Sequence, residues 1–282
     1  MMNSLIPAAI LALASNLTPV IAQNSAPAPT QRTLTYADIA DMALASKITV
    51  AVRVRQAERL KGADAATALP GRKRYLITAE VLALIRSRDA IPPRITYVAD
   101  VAPDAAGKFP KIAKGESLLF ALPVAGYPGE VRLVSPDAQI AATPDILARV
   151  RAIFKEAEGT ASPPVITGVG DAFHVAGAIP GEGETQIFLE SADERLASIT
   201  VLRTPNAPPR WWVSLGEVVD QGSGPPRRST LIWYRLACFL PRTLPPISVA
   251  GLEAEAAKLA TEDYATVISG LGPCPRTLTI RP

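Results

Sequence analysis

An α+β fold with mostly antiparallel strands is predicted by two observations on this chain of 282 residues. Short segments of alternating apolar and polar residues recur along both halves of the chain, as in half-buried strands. Between and after them lie a few stretches with apolar residues at helical spacing. The 27 prolines favour short helices joined by stiff loops.

The first half of the chain contains a predicted helix, five predicted strands and a second predicted helix. Residues 35–38 have the spacing of a capping box, which predicts a helix that ends near Ala45. Residues 143–145 (Thr-Pro-Asp) are typical of a helix start, and the apolar face that follows runs to Phe154. The predicted strands are residues 50–55, 75–81, 95–101, 117–122 and 131–134.

Two of these segments resemble netrin-like modules. They are residues 75–81, of sequence Tyr-Leu-Ile-Thr-Ala-Glu-Val, and residues 114–120, of sequence Lys-Gly-Glu-Ser-Leu-Leu-Phe. That family includes the tissue inhibitors of metalloproteinases. The resemblance covers residues 34–157 and implies a five-stranded OB-type barrel with flanking helices.

The resemblance does not imply that this chain inhibits metalloproteinases. The inhibitors present an amino-terminal cysteine to the metal of their target, and residues 34–157 contain no cysteine. The chain as a whole also resembles exported proteins of Gram-negative bacteria that have no established activity. The resemblance therefore implies a fold and a compartment, and no reaction.

The second half of the chain is predicted to be a separate, smaller β-rich domain over residues 165–282. Residues 157–164, with Gly and two Pro, are typical of a domain boundary. Four strands are predicted, at residues 173–175, 186–189, 199–202 and 211–219. Ser229 is expected to cap a buried helix over residues 231–240, and Gly270 to end a last helix that begins near Leu252.

The amino-terminal residues 1–22 have the features of a secretory signal peptide. An apolar stretch is followed by small residues at positions −3 and −1 of a cleavage site between Ala22 and Gln23. Residues 23–33 are predicted to be a disordered spacer. No basic residue precedes Arg32, so an uncleaved anchor is the alternative, although the apolar stretch is shorter than the ~20 residues of a spanning helix. We expect a periplasmic or secreted protein without a transmembrane segment in the mature chain.

The two cysteines, Cys238 and Cys274, are predicted to form a disulfide that joins the last two helices. In an oxidising compartment, two thiols in one region of a chain usually pair. Two cysteines and one distant histidine fall short of a structural zinc site, and neither cysteine has a CxxC partner. We expect no metal and no cofactor.

The charge pattern argues against nucleic acid as a partner. The net charge is only +3, and aromatic residues make up 5% of the chain. Nucleic-acid-binding proteins usually combine a concentrated basic patch with aromatic side chains for stacking. The partner that we expect is another protein of the cell envelope.

A glycine-rich segment carries the candidates for catalysis. His174, the single histidine, follows Asp171 in the stretch Gly-Val-Gly-Asp-Ala-Phe-His and could act as a general base. No Gly-x-Ser-x-Gly motif supplies a nucleophile, and no P-loop is present. Glu182 and Glu184 could form the carboxylate pair of a glycoside hydrolase. The alternative for all four residues is a glycine-rich hairpin without catalytic function.

Trp211 and Trp212 are the binding candidates. Adjacent residues of a strand point to opposite faces, so only one of the two side chains can enter the core and the other could be exposed. Packing of both tryptophans in the protein is the alternative. The sequence favours a non-catalytic binding or interaction module, with an envelope hydrolase acting on peptide or glycan as the alternative.

Overall fold

The computed structural model describes residues 33–104, 106–112, 114–216 and 224–278. The predicted signal peptide, its cleavage site and all of the spacer but Thr33 lie outside the described residues. The described part contains two antiparallel sheets and four α-helices, which confirms the α+β class. None of its helices is both long enough and apolar enough to cross a membrane.

Sheet 1 is built from the first half of the chain and has six strands. Its order is β3-β2-β1-β4-β5, and β6 also pairs with β4. Three of the five predicted strands begin and end within two residues of the observed ones, whereas β1 extends four residues and β2 five residues beyond its predicted end. The bounds are β1 (Ile48–Arg59), β2 (Lys73–Arg86), β3 (Arg94–Val101), β4 (Glu116–Pro123), β5 (Val131–Leu133) and β6 (Gln139–Ala141).

The expectation of a closed five-stranded barrel is wrong. Sheet 1 is open between β3 and β5, where a single isolated bridge joins Thr96 to Glu130. The physical reason is the length of β5, which has only three residues and already pairs with β4. A strand this short offers too few backbone groups for a second continuous ladder.

Sheet 2 has four strands in the order β10-β9-β8-β7. All its pairings are antiparallel, and β7 forms one edge of the sheet. The predicted strand at 211–219 ends earlier, because β10 stops at Ser214; residues 217–219 lie outside the described part. The bounds are β7 (Ile166–Ala176), β8 (Gly183–Ser191), β9 (Ser198–Arg203) and β10 (Arg210–Ser214).

The described part of the chain has four α-helices. They are α1 (Tyr36–Ala45), α2 (Pro144–Glu158), α3 (Leu231–Ala237) and α4 (Ala254–Leu271). The predicted capping box at Thr35 and Asp38 is present, and Thr143 caps α2. Three predicted helix boundaries differ: Thr230 instead of Ser229 caps α3, α3 ends at Ala237 instead of at residue 240, and the C-cap of α4 is Gly272, whose φ of 70° favours glycine, instead of Gly270.

The hydrophobic core is continuous from one sheet to the other. Helix α1 packs against β4 of sheet 1, α4 packs against β7 and β8 of sheet 2, and α3 contacts both helices. The described residues accordingly belong to one compact unit. The predicted boundary at 157–164 coincides with the connection from α2 to β7. The division into two domains stays a prediction.

The predicted disulfide between Cys238 and Cys274 is confirmed. Cys238 is the residue directly after α3, and Cys274 lies three residues beyond α4. The bridge closes a loop with a sequence separation of 36. In the chain-entropy treatment a loop of this size corresponds to roughly 3–4 kcal/mol of stabilisation.

Candidate functional site

The single histidine belongs to a buried polar chain between sheet 2 and α4. Nδ1 of His174 lies 2.8 Å from Oγ1 of Thr185, and the Thr185 hydroxyl donates to Oδ2 of Asp263. The other oxygen of Asp263 accepts from Nε of Arg203 at 2.7 Å. Thr185 and Asp263 are 0% exposed and the His174 side chain is 3% exposed. The imidazole that could act as a general base is therefore almost closed to solvent.

The direction of the hydrogen bonds determines the histidine tautomer. A carboxylate only accepts hydrogen bonds, so the one hydroxyl proton of Thr185 is used towards Asp263. Thr185 must then accept from His174, which places the imidazole proton on Nδ1. Burial lowers the pKa of His174; the charge of Asp263 opposes this effect and that of Arg203 adds to it.

We expect NMR to show a neutral, Nδ1-protonated imidazole for His174 at pH 7 in tag-free protein. Because the chain has one histidine, its ring signals are unambiguous. Protonation favours the unfolded state, so stability should rise with pH from the lowered folded pKa up to about 6.5, the ordinary value. The urea-unfolded chain, which should titrate near that ordinary value, is the internal control. A folded pKa at or above it would contradict the lowering of the pKa by burial, and a neutral ring protonated on Nε2 would contradict the hydrogen-bond chain.

The structure does not bring Asp171 and His174 together. The two residues are three positions apart on β7, so their side chains lie on opposite faces of sheet 2. The carboxylate that faces the histidine is Asp263, at 3.9 Å from Nδ1. Asp171 is exposed on the other face. No pattern in the sequence indicates Asp263 as the partner, because it lies on α4, 78 residues beyond Thr185.

The face of sheet 2 that points away from α4 carries an open cleft. This outer face is defined by Asp171, Phe173, Val175, Glu184, Gln186, Phe188, Glu190 and Leu202. The cleft has a volume of about 570 Å³, and its walls include Phe173, Val175 and Leu202. Phe173 is 38% exposed and Val175 is 60% exposed. Water-exposed apolar side chains beside a cleft are typical of a binding surface.

Glu182 and Glu184 both line this cleft, so the predicted carboxylate pair shares one cavity. Glu182 is half-buried and lies against Gly177, and Glu184 is exposed. His174 lies behind the cleft: a Cβ on Gly183 would be 2.7 Å from its Nε2. A larger residue at 183 would displace the imidazole, which explains this glycine.

Gly168, at the start of the glycine-rich segment, leaves room for another acidic side chain. A Cβ on Gly168 would lie 2.6 Å from Oε2 of Glu190, the residue that pairs with it across the two strands. The Glu190 side chain thus lies flat over β7. The glycine-rich segment that suggested catalysis by its composition is explained by close approach of side chains to the strand.

The two tryptophans do lie on opposite faces, but neither is exposed. Trp211 belongs to the core and its ring approaches Gly270 of α4, where a Cβ would be 3.0 Å away. Trp212 is on the outer face, in the cross-strand row of Thr200, Gln186 and Phe173. Both are only 6% exposed, so the expected exposed tryptophan is not found. A role of either residue in binding stays a prediction.

The exposed aromatic side chains of this face are phenylalanines, which were not among the predicted binding residues. The rings of Phe173 and Phe188 are 5.6 Å apart, and each residue is 38% exposed. The available signal was the period of two along β7 and β8, which places these apolar residues in register with exposed acids. In the described part of the chain no group of three or more His, Cys, Asp or Glu side chains could hold a metal ion.

No protein-family profile matches this chain, and no curated protein matches it in sequence.

Proposed function

We propose that this chain is an exported, non-catalytic binding module that holds part of an envelope protein on the outer face of sheet 2. The observation that carries the proposal is the open cleft with the exposed side chains of Phe173 and Val175. Aromatic side chains, phenylalanine included, are enriched in protein–protein interfaces relative to the rest of the surface. The sheet is a rigid support, since its opposite face is buried against α4.

Export is supported by two features. Residues 1–22 have the pattern of a signal peptide. The disulfide between Cys238 and Cys274 fits an oxidising compartment such as the periplasm.

Selection of random displayed peptides on the oxidised, exported chain tests this function. We expect enriched peptides whose affinity falls about tenfold or more in Phe173→Ala, because truncation of a central aromatic contact costs that much at typical interfaces. Val175→Ser should also weaken them. The matched control is Val98→Ser, a valine exposed on β3 of sheet 1. Peptides that do not enrich, or that bind Phe173→Ala unchanged, would contradict the proposal.

The envelope hydrolase remains the second candidate, and one observation favours it. Glu182 and Glu184 line the same cleft, as the two carboxylates of a glycosidase must. Incubation of the protein with labelled cell-wall glycan and peptide would distinguish the candidates. Turnover that is lost in both Glu182→Gln and Glu184→Gln would replace the binding proposal with the hydrolase.

A further inference from the structure

The outer face of sheet 2 carries more acidic than basic side chains in addition to its apolar ones. Three exposed acids, Asp171, Glu184 and Glu190, belong to it, and Glu182 lies at the rim of the cleft. The base on this side of the sheet is Arg210, which pairs with Leu202 across β9 and β10. Arg203, at the end of the cleft, is paired with Asp263 on the other side.

The four carboxylates have no ion-pair partner within the described residues. The salt bridges of that part of the chain involve other acids, including Glu80, Asp100, Asp137 and Asp263. Unpaired carboxylates around an apolar surface attract a cationic partner and repel an anionic one. Charge complementarity therefore selects the partner here.

The spacing of these side chains along β8 indicates the shape of the partner. Glu184, Gln186, Phe188 and Glu190 lie on one face at alternate positions. The first and the last of them are six residues apart, which corresponds to roughly 20 Å along a strand. This distance exceeds the length of most small molecules. It matches the length of an extended segment of about seven residues, whose alternate side chains have the same repeat.

We infer that the outer face of sheet 2, from the cleft at Glu184 to Glu190, binds an extended peptide segment with basic residues at its two ends and apolar residues between them. The basic ends lie by Glu184 and Glu190, and the apolar side chains contact Phe173, Phe188 and Val175. Asp171, which is exposed on the same face, adds to the attraction. This inference rests on the proposed function, since it assigns the chemistry of the segment held at that same face.

Three labelled peptides of the same length test the inference by fluorescence anisotropy. The probe is Lys-Ser-Leu-Ser-Leu-Ser-Lys, and the controls replace both lysines by glutamine or by glutamate. The lysine peptide should bind about tenfold more tightly than the glutamine peptide, because each exposed ion pair contributes a factor of about 2 to 5. Raising the salt concentration from 0.05 to 0.5 M should remove most of that difference.

A charge variant gives the matched comparison. Glu184→Gln with Glu190→Gln should weaken the lysine peptide about tenfold and leave the glutamine peptide unchanged. Glu58→Gln with Glu130→Gln removes the same charge from exposed positions outside this face and should change neither. Failure of the lysine peptide to bind up to millimolar concentration, or equal or tighter binding of either control peptide, overturns the inference.

The two proposals fail in different ways. If neutral or acidic peptides bind, and Phe173→Ala abolishes that binding, the proposed binding function is retained and only the charge assignment is refuted. Lysine peptides that bind with the same affinity to Phe173→Ala and to the charge variant would refute both, because they would be bound elsewhere. The library selection judges the binding function without assuming any charge.

Discussion

Replacement of Asp263 by asparagine is expected to lower the free energy of unfolding by about 3 kcal/mol, the lower end of the cost of breaking a buried ion pair. Asp263 is fully buried and accepts from Arg203 and from the Thr185 hydroxyl. An amide of the same shape keeps one accepting oxygen but turns its NH2 group towards a donor. Arg203 is then left without its closest counter-charge.

Glu262→Gln is the matched control for this prediction. Glu262 is the preceding residue on α4, contacts the same Arg203 at 3.3 Å, and is 49% exposed. Its removal should cost less than about 1 kcal/mol, since exposed ion pairs contribute little. Urea denaturation of both variants at pH 7 measures the difference. Equal costs for the two variants would show that burial of the Asp263 pair does not contribute to stability.

Secondary structure could be predicted because its signals are local. The alternation of Val50, Val52 and Val54 predicts β1, and Thr143 and Pro144 predict the start of α2. Each of these patterns depends on residues within one turn or one strand. The barrel was not predicted correctly, because closure depends on how far β5 extends beside β3, and no short-range pattern encodes this length.

The candidate site could be predicted only in part, since its partners are distant in the chain. The sequence indicated His174 and the acids at 182 and 184, and the structure places these residues in or behind one cleft. The choice of Asp263 over the neighbouring Asp171 follows from the pleat of β7 and from the packing of α4. Trp212 is buried although it lies on the outer face, which the alternation of the strand alone could not reveal.

The second large effect is expected at Asp38, which fastens the carboxyl-terminal segment to α1. Its carboxylate accepts from the backbone and hydroxyl groups of Thr35 and Thr277 and from the backbone of Leu278. Thr277 is 239 residues away in sequence. Asp38→Asn removes the charge and replaces one accepting oxygen by an NH2 group, whose two N–H donors face the donors of Thr35, Thr277 and Leu278. We expect a loss of about 3 kcal/mol, because hydrogen bonds to charged groups contribute about 1.5–3 kcal/mol each and some survive.

The same variant should change the response to acid. Burial acts to raise the pKa of the Asp38 carboxyl, but the hydrogen bonds from Thr35, Thr277 and Leu278 outweigh it, and the pKa is lowered. A carboxyl with a lowered folded pKa stabilises the protein above its unfolded value, about 3.9, and loses this contribution as pH falls through the folded value. Asp38→Asn should therefore flatten the loss of stability in that window. Part of the loss should remain, because the pKa of Asp100 is also lowered.

Asp145→Asn is the control, because it makes the same substitution in the first turn of α2 at a side chain that is 71% exposed. It should cost less than about 1 kcal/mol at pH 7. Hydrogen exchange adds a local measurement: in Asp38→Asn the amides of Thr277 and Leu278 should exchange faster than in Asp145→Asn. If the acid response of Asp38→Asn matched that of the unsubstituted protein, Asp38 could not be the carboxylate that holds the carboxyl-terminal segment in place.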